Sequence, residues 1–413
     1  MGPRPGSDPS PARGQVPARR LFRRRARGVH PAAGPRRVDV PTGRLASALR
    51  DPLWRDPLLS GDRRRRRRRR PIGGPRQRQQ SDSDPDSLPP RGCEYPSGRL
   101  LGRRRAADQA LAAREPGPGE ALVKQEAVGL NYIDVYFRTG LYKAPAMPLI
   151  IGQEGAGTVT AVGVNVTHVA PGDRVAYAGA IGGYATDRVI PADRLVKLPD
   201  AISFQTAAAM MLQGMTAQYL LRRTYTVKAG DTIVVHAAAG GVGLIMCQWA
   251  KHLGATVIGV VSSQQKAELA HAHGAAHTIV GAADLPTEVK RITGGAMVPV
   301  VYDSVGKDTF NLSIDSLAPL GLMVSYGNAS GPVPPVDIGM LAAKGSLFLT
   351  RPSLATYTAK RADLERAAAD LFDVVANGAV KIKVNQTYAL KDAAAAHAAL
   401  EARKTTGSTV LLP

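Results

Sequence analysis

A glycine-rich turn between a strand-like run and a helix-like run has the clearest chemistry in the sequence. Residues 238–243 read AAGGVG, so Gly240 and Gly243 fill the last two glycine positions of a G-x-G-x-x-G pattern and Ala238 the first. Such turns let the backbone approach a pyrophosphate, while the helix N-terminus attracts negative charge. The pattern predicts a dinucleotide site, and a plain strand-to-helix turn is the alternative. The predicted site consists of Gly240, Gly241, Val242 and Gly243.

The segments on either side of this turn have the periodicity of a strand and a helix. Residues 232–236 are a β-branched run, and the apolar residues after the glycines recur at the spacing of one helix face. These residues are Val242, Ile245, Met246, Trp249, Ala250 and Leu253. A second apolar run follows at 256–261. The order strand, glycine turn, helix and strand is the context that a dinucleotide site requires.

The residues at the end of the second run indicate which dinucleotide is bound. NAD-specific sites usually place an acidic side chain there, about 20 residues beyond the glycines, to bind the ribose 2′-hydroxyl. In this chain Ser262 and Ser263 occupy that position, and Lys266 follows. Because nothing there repels a 2′-phosphate and Lys266 can neutralise one, the sequence favours NADPH. A solvated helix lysine is the alternative interpretation of Lys266.

The wider pattern predicts an α/β protein with two kinds of sheet. Residues 120–200 contain short strand-like runs separated by PGD, GG and PAD turns, which indicates a small β-barrel or sandwich. Residues 203–223 have helical character. After Gly230, apolar strands alternate with helices, as in a doubly wound parallel sheet, and a helix at 361–377 precedes a last pair of strands.

The first 115 residues differ from the remainder in composition. They hold 29 of the 54 Lys and Arg residues, all of them Arg, together with 11 of the 33 Asp and Glu residues and 16 of the 31 prolines. We expect this extension to be disordered. A solvated tail and a mistaken start codon are both compatible with it, whereas its acidic residues and prolines disfavour a mitochondrial presequence. The run Arg63–Arg70 could bind nucleic acid through phosphates, although no aromatic residues are interleaved with it.

Cysteine usage and hydropathy bear on the compartment. Cys93 and Cys247 are too few for a disulfide framework or a four-cysteine zinc site. No apolar run approaches the roughly 18 residues of a membrane span. These features predict a protein of the reducing cytoplasm that does not contact a membrane.

Several long runs of the sequence carry a family resemblance. They are GLNYIDVYFRTGLY, GQEGAGTV, PGDRVAYA, HAAAGGVGLIMCQWAKHLGA, VVYDSVGKDTF, GLMVSYGNASG, KGSLFLTRPSL and the terminal GSTVLLP. With these runs, the chain from about Pro116 to Pro413 resembles the zinc-free medium-chain dehydrogenase/reductases, most closely the NADPH:quinone oxidoreductases of the zeta-crystallin type.

The resemblance implies a two-domain architecture. A GroES-like β-barrel catalytic domain would comprise residues 116–212 and 341–413, and a Rossmann domain with a doubly wound parallel sheet, 213–340, would be inserted between them to bind NADPH. It further implies a homodimer and a quinone substrate held in the cleft between the domains.

The resemblance also implies roles for residues on both sides of that cleft. The nicotinamide and substrate side would include Asn131, Asp134, Tyr136 and Tyr142. Cofactor contacts would come from Tyr219, the glycine turn, Lys266, Tyr326, Gly327, Asn328 and Arg403. Either Tyr136 or Tyr142 could donate a proton, and Asp134 could equally be a structural hydrogen-bond acceptor.

Metal catalysis is not expected. Zinc-containing relatives place a Cys ligand where Asn131 stands and a His ligand where Gln153 stands, and neither amide binds zinc well. A quinone is already a strong electrophile, so hydride transfer to it requires positioning in an apolar cleft rather than a metal.

The chain departs from the resemblance at two places. Val280 and Gly281 replace an Asn-Tyr pair whose tyrosine would flank the adenosine phosphate, which predicts a looser preference for NADPH. The first strands of the catalytic domain are replaced by Arg- and Pro-rich sequence before residue 119, which predicts a damaged catalytic domain with exposed strand edges.

Other functions remain open on the sequence alone. An NADPH-dependent alkenal or enoyl double-bond reductase would use the same fold and cofactor. A nucleic-acid-binding protein would use the arginine run, and a catalytically impaired protein would hold NADPH without turnover. The main prediction is an NADPH-dependent quinone reductase.

Overall fold

The structure is a computed structural model that describes residues 115–413 together with Gly2. The predicted disorder of residues 1–115, apart from Glu115, the arginine run Arg63–Arg70 and the predicted loss of the opening strands therefore lie outside the described residues. All elements below belong to the unit Arg91–Pro413. No helix in residues 115–413 is both long and apolar enough to cross a membrane.

Seven strands form a mainly antiparallel sheet in the order β12-β13-β1-β2-β3-β5, with β4 also paired to β1. Only β12 and β13 pair in parallel. The strands are β1 (Glu120–Leu130), β2 (Glu154–Val162), β3 (Arg174–Ala178), β4 (Asp187–Pro191), β5 (Val196–Lys197), β12 (Val384–Ala389) and β13 (Ser408–Leu412). The sheet thus joins residues from both ends of the described chain, as expected for an interrupted domain.

Six further strands form a parallel sheet in the order β11-β10-β9-β6-β7-β8. The strands are β6 (Thr232–His236), β7 (Thr256–Val261), β8 (His277–Val280), β9 (Val298–Asp303), β10 (Leu317–Ser325) and β11 (Phe348–Thr350). This order is the doubly wound one, whose chain direction across the sheet reverses between β6 and β9. The prediction of a doubly wound parallel sheet is confirmed.

The helices cover the sheets and connect them. They are Tyr132–Arg138, Phe204–Ala208, Met211–Tyr219, Gly241–His252, Gln264–Ala272, Leu285–Ile292, Phe310–Asp315, Gly339–Ala343, Leu354–Tyr357, Arg361–Ala376 and Ala393–Glu401. A π-helical turn spans Leu220–Thr224, and 3₁₀ turns span Ala192–Arg194 and Leu390–Asp392.

The parallel sheet has apolar layers on both faces, which explains its continuous apolar strands. Alternate residues of β6 point to opposite sides: Ile233 and Val235 pack in one cluster with Trp249, while Val234 packs in another with Leu285. Each of these side chains is fully buried. The predicted amphipathic helix after the glycines therefore lies against the sheet.

One sequence expectation is revised by these elements, and a second concerns a domain boundary. The helical stretch expected over 203–223 is interrupted, because Ala209 and Met210 separate two helices and the chain then widens into the π-helical turn. Strand β11 pairs in parallel with β10, so it extends the parallel sheet beyond residue 340. We therefore propose that the second domain boundary lies after Thr350.

Candidate active site

The glycine turn lies at the carboxyl end of β6, beside the point where the strand order reverses. Ala237 has a left-handed φ of 50°, and Gly240 is the N-cap of the helix Gly241–His252 with an extended backbone and no side-chain cap. Crevices at this edge of a doubly wound sheet are where such folds bind ligands. The helix therefore presents free N–H groups to an anion.

The glycines of this turn are needed for different reasons. A Cβ at Gly243 would lie 2.3 Å from the Ala237 carbonyl oxygen, so Gly243 lets the helix pack against the turn. A Cβ at Gly240 would meet only that same oxygen, at 3.2 Å. Since Gly240 also has an ordinary negative φ, the protein itself scarcely requires its glycine. This sparse surrounding of Gly240 fits the close approach of a dinucleotide pyrophosphate.

Two cations meet beyond the end of β7, where a ribose phosphate would lie. The Lys266 ammonium donates to the Arg403 carbonyl oxygen at 3.0 Å, and Ser263 caps the helix that carries Lys266. Burial, and then the neighbouring Arg403 charge, lower the pKa of Lys266. Neither cation joins an ion pair among the described residues, and Ser262 beside them is exposed. This arrangement suits an anion such as a 2′-phosphate.

The loop after β10 forms the other end of the cleft. The Tyr326 amide donates to the Asp303 carbonyl at 2.8 Å, and a Cβ at Gly327 would lie 2.3 Å from the Ser304 carbonyl oxygen. The backbone N–H of Asn328 donates to the Tyr136 phenol oxygen at 2.9 Å. The loop from the parallel sheet is thus joined to the helix Tyr132–Arg138 of the catalytic domain.

Aromatic side chains line the cleft beside this loop. The Tyr136 and Tyr142 rings meet edge-on with centroids 5.2 Å apart, and Phe137 contacts Tyr142 at 5.8 Å. Burial raises the pKa of Tyr136 to about 12. A cavity of about 290 Å³ opens here. It is lined by Tyr132, Val135, Tyr136, Thr139, Leu141, Asn328, Ala329 and Glu401. Two tyrosines and three aliphatic side chains of this lining offer apolar surface to a flat ring, and the other three residues add polar groups.

Arg351, which the sequence analysis did not single out, connects these parts. Its guanidinium donates to the Ser325 and Gly327 carbonyl oxygens at 3.1 and 2.8 Å, and to the Tyr142 phenol at 3.4 Å. The Asn328 carboxamide, with its oxygen turned towards Arg351, accepts a further bond at 3.0 Å. Arg351 follows β11 directly, so the rule that ligands bind at the carboxyl ends of parallel strands could have identified it.

Asn131 and Asp134 are buried at the start of the helix Tyr132–Arg138. Asn131 is the N-cap of the helix Tyr132–Arg138, and its amide donates to the Asp134 carboxylate at 2.9 Å. The Tyr184 phenol donates to the same carboxylate at 3.2 Å. Asp134 is fully buried, and burial raises its pKa to about 7. Asp134 is therefore placed to hold the helix start, and it does not reach the cavity.

Tyr219 is shielded by another ring. It stacks on Tyr357 with centroids 4.4 Å apart and is only 3% exposed. Burial raises its pKa, and Tyr326 lies near enough to add to this effect. Tyr219 is thus buried between Tyr357 and the neighbourhood of Tyr326.

Where zinc-containing relatives have a cysteine ligand, this chain has a hydrogen-bonded asparagine. The Asn131 carboxamide donates to Glu154 at 2.6 Å and accepts from Gln213 at 3.2 Å. Within residues 115–413, no three His, Cys, Asp or Glu side chains gather in a way that would hold a metal ion. His236, at the end of β6, contacts the Ser313 hydroxyl at 2.9 Å. The described donor set does not fit a zinc site.

Comparison with known families and proteins agrees with this geometry. Residues 117–200 match the alcohol dehydrogenase GroES-like domain, and residues 241–372 match the zinc-binding dehydrogenase family. A quinone oxidoreductase of Pseudomonas aeruginosa is 54% identical over 301 residues, which cover 72% of this chain and 93% of that protein. The chain belongs to the quinone oxidoreductase branch of the medium-chain dehydrogenase/reductase family.

Two further members of this family are informative. The structure of Escherichia coli quinone oxidoreductase complexed with NADPH is 49% identical, with a TM-score of 0.71 over 73% of this chain and 93% of that one. A 2-haloacrylate reductase of a Burkholderia species is 44% identical over 306 residues, covering 72% of this chain and 92% of that protein. The resemblance found in the sequence is confirmed at the level of family and fold.

Proposed function

We propose that the protein is an NADPH-dependent quinone reductase that needs no metal. The observation that carries the proposal is the 54% identity to a quinone oxidoreductase along 93% of that relative's length. The open glycine turn, the cation pair and the aromatic cavity support it independently, because they supply a pyrophosphate site, a 2′-phosphate site and a site for a flat ring.

The residue roles follow the order of these features along the cleft. The turn Gly240, Gly241, Val242 and Gly243 binds the pyrophosphate, and Ser262, Lys266 and Arg403 bind the 2′-phosphate. Tyr326, Gly327 and Asn328 bind the nicotinamide half, and Tyr219 lies beneath its middle. Asn131, Tyr136 and Tyr142 face the nicotinamide and the quinone, while Asp134 acts through the helix it caps.

The chemistry needs little more than alignment. NADPH, when bound, supplies the hydride, and a quinone that takes up this hydride and one proton becomes a hydroquinone. The chain's own residues hold the two rings together and exclude water from the space between them. The Tyr142 phenol, beside Arg351, is within the cleft and can give a proton to the oxygen of the reduced acceptor.

Reduction of an activated carbon–carbon double bond is the second candidate. The 44% identity to a 2-haloacrylate reductase favours it, because the acceptor there is an alkene and not a quinone. Steady-state kcat/KM for an ortho-quinone, an enone and 2-chloroacrylate, each with NADPH, separates the two functions. A quinone value above both alkene values supports quinone reduction, and a higher alkene value contradicts it.

We further propose that the protein is a cytoplasmic homodimer. Strand β11 is an edge of the parallel sheet, and its Phe348 is 60% exposed. Leu320 and Ile338, at 67% and 80% exposed, lie in neighbouring segments of the same sheet unit. An apolar sheet edge pairs readily with a second copy of itself. A cytoplasmic location fits the intracellular supply of NADPH.

A further inference from the structure

Four buried polar side chains form a continuous hydrogen-bonded chain beside the glycine turn. It starts at Glu154 on β2 and passes through Asn131 and Gln213 to Ser408 on β13. Successive hydrogen-bond distances are 2.6, 3.2 and 2.7 Å, and no member is more than 6% exposed. A Cβ at Gly241 would lie 2.0 Å from the Gln213 carboxamide oxygen, so the chain also touches the glycine turn. It therefore connects Glu154 and Asn131 to the glycine turn.

At the Ser408 end of this hydrogen-bonded chain, a single hydroxyl proton faces two acceptor oxygens. The Ser408 hydroxyl lies 2.7 Å from the Gln213 carboxamide oxygen and 2.8 Å from the Ala209 carbonyl oxygen. A hydroxyl donates a single hydrogen bond. When Ser408 donates to Gln213, the Ala209 carbonyl receives nothing from it.

Reversing the direction of every bond removes this conflict. Both carboxamides can turn by 180°, because their oxygen and nitrogen exchange places with little movement. Gln213 then donates to Ser408, Asn131 donates to Gln213, and Ser408 is free to donate to Ala209. The Asn131 oxygen then faces Glu154, which completes the chain only if Glu154 carries a proton.

The two directions differ in number of hydrogen bonds as well as in charge. With an ionised Glu154, Asn131, Gln213 and Ser408 each donate one bond along the chain. With a protonated Glu154, the carboxyl group donates as well and Ala209 gains the bond from Ser408. The Leu212 amide donates to Glu154 at 2.8 Å in both cases. The protonated direction therefore gains one hydrogen bond within this chain of side chains, while it turns the Asn131 oxygen away from the Asp134 backbone N–H of the capping box.

The surroundings of Glu154 also oppose its ionisation. Its carboxylate packs directly on the backbone of Gly129, where a Cβ would lie 2.3 Å from the carboxylate oxygen. Glu154 joins no ion pair in the described residues. The groups that face it are Asp134, Tyr177 and Tyr184; Arg188 lies against the Tyr177 ring, and His397 contacts Tyr184. Burial, reinforced by Asp134, raises the pKa of Glu154 to about 8.

We propose that Glu154 is a positioning residue whose protonation sets the orientation of the Asn131 carboxamide through Gln213 and Ser408, and that the protonated form is competent for hydride transfer. The inference rests on the proposed function, in which Asn131 faces the nicotinamide. It makes turnover depend on a proton held by a residue that touches neither cofactor nor substrate.

The first test compares pH profiles of quinone reduction for the unaltered protein and Glu154→Gln. A glutamine can donate to the Asn131 oxygen at every pH, so it fixes the protonated direction. For the unaltered protein, kcat/KM should fall about tenfold per pH unit above a single ionisation. The Glu154→Gln profile should stay flat there, at the low-pH value of the unaltered protein. A parallel fall in both proteins, or a variant that is uniformly slower with the same profile, would overturn the proposal.

The second test shifts the ionisation of Glu154 by changing Ser408, at the other end of the hydrogen-bonded chain. Ser408→Ala removes two hydrogen bonds when Glu154 is protonated, those to Ala209 and from Gln213. It removes only one, the bond to Gln213, when Glu154 is ionised. The midpoint of the pH profile should therefore move down by about half a unit to one unit. Ser316→Ala is the matched control, because Ser316 is a buried serine bonded to the Leu312 carbonyl in the other domain. Equal midpoints in the Ser408 and Ser316 variants would contradict the linkage.

A third measurement does not depend on turnover. The infrared C=O band of protonated carboxyl groups should diminish between pH 6 and pH 9.5 in the protein without substrate. Part of this change should be absent from Glu154→Gln, and the same part should shift to lower pH in Ser408→Ala. If the protein reduces no quinone but shows these changes, the proposed function fails and the hydrogen-bond linkage stands. If the infrared change is identical in all variants, the linkage itself is refuted.

Discussion

Arg351 holds the nicotinamide loop and Tyr142 together with one planar group. Its bonds reach two carbonyl oxygens of the loop after β10 and the phenol of Tyr142. A lysine keeps the positive charge but offers a single nitrogen, which cannot span these acceptors. The contribution of Arg351 is therefore geometric, and a conservative replacement should reveal it.

We predict that Arg351→Lys lowers kcat by about tenfold to a hundredfold, because misaligned rings react slowly. The Kd for NADPH should change by less than about threefold, since the phosphate contacts lie at the other end of the cleft. Stopped-flow single turnovers and NADPH fluorescence titration measure the two quantities. Arg366→Lys, on an exposed pair with Asp363, is the control. A variant with normal kcat and weakened NADPH binding would contradict this role.

Lys266 should determine the choice between NADPH and NADH. Replacing it with alanine removes a charge-assisted hydrogen bond, so the KM for NADPH should rise about tenfold or more. The KM for NADH should stay the same, because NADH has no 2′-phosphate. Lys290→Ala, an exposed lysine on the helix Leu285–Ile292, is the matched control. An equal rise for both cofactors would argue against a 2′-phosphate site.

Residue spacing identified single residues only where they lie close together in the chain, and scattered residues such as Tyr219 and Arg403 were predicted through the family resemblance. Lys266 and the glycines belong to one continuous run, so their spacing carried the prediction. Arg351, Glu154 and Gln213 act through partners that are far away in sequence, and no periodicity relates them. Only the folded chain brings each of these three residues to its hydrogen-bond partners.

We expect two glycines of the glycine turn to have different roles, one in the stability of the fold and the other in cofactor binding. Gly243→Ala should lower the free energy of unfolding by about 1–3 kcal/mol, because its Cβ would meet a backbone oxygen at 2.3 Å. Gly240→Ala should lower the Tm less than Gly243→Ala does, since its Cβ would meet only the Ala237 carbonyl oxygen, at 3.2 Å, but it should raise the NADPH Kd at least about tenfold. Thermal unfolding and fluorescence titration test the pair. Opposite results would mean that Gly240 serves packing and Gly243 serves the cofactor.

Elements with a regular apolar pattern were predicted most closely. The helix Gly241–His252 and strand β6 have clear apolar patterns and were predicted closely. The interruption within 203–223 was not, because it depends on partners elsewhere: the Tyr302 phenol donates to the Leu220 carbonyl oxygen at 3.1 Å within the π-helical turn. The helix Tyr132–Arg138 was also missed, although it carries Tyr136.

At the scale of the whole molecule, the exposed edge of β11 predicts how copies associate. Phe348→Asp should convert a dimer into a monomer, because it places a charge on an apolar edge that would be buried. Val164→Asp is the control, since Val164 is 67% exposed after β2 in the other sheet. Sedimentation equilibrium of both variants and the unaltered protein measures the mass. A Phe348 variant that stays dimeric would place the interface elsewhere.

The architecture of the described region could be predicted because the two sheets have different patterns of strands, turns and helices in the sequence. Turn-rich strands before residue 200 and alternating strands and helices after Gly230 indicated two sheets, and the structure has both. The exact end of the inserted domain could not be anticipated, because β11 has three residues and takes its place only by pairing with β10. The predicted effects of residues 1–115 stay predictions.

The most direct test of the whole account is NADPH oxidation by the purified full-length protein with a reactive ortho-quinone as acceptor, measured beside NADH. We expect turnover with a higher kcat/KM for NADPH, as the glycine turn and the pair Lys266 and Arg403 require. Turnover that prefers NADH would contradict the 2′-phosphate site. Absence of turnover, with NADPH binding still detected by fluorescence, would contradict quinone reduction and leave a protein that holds the cofactor without using it.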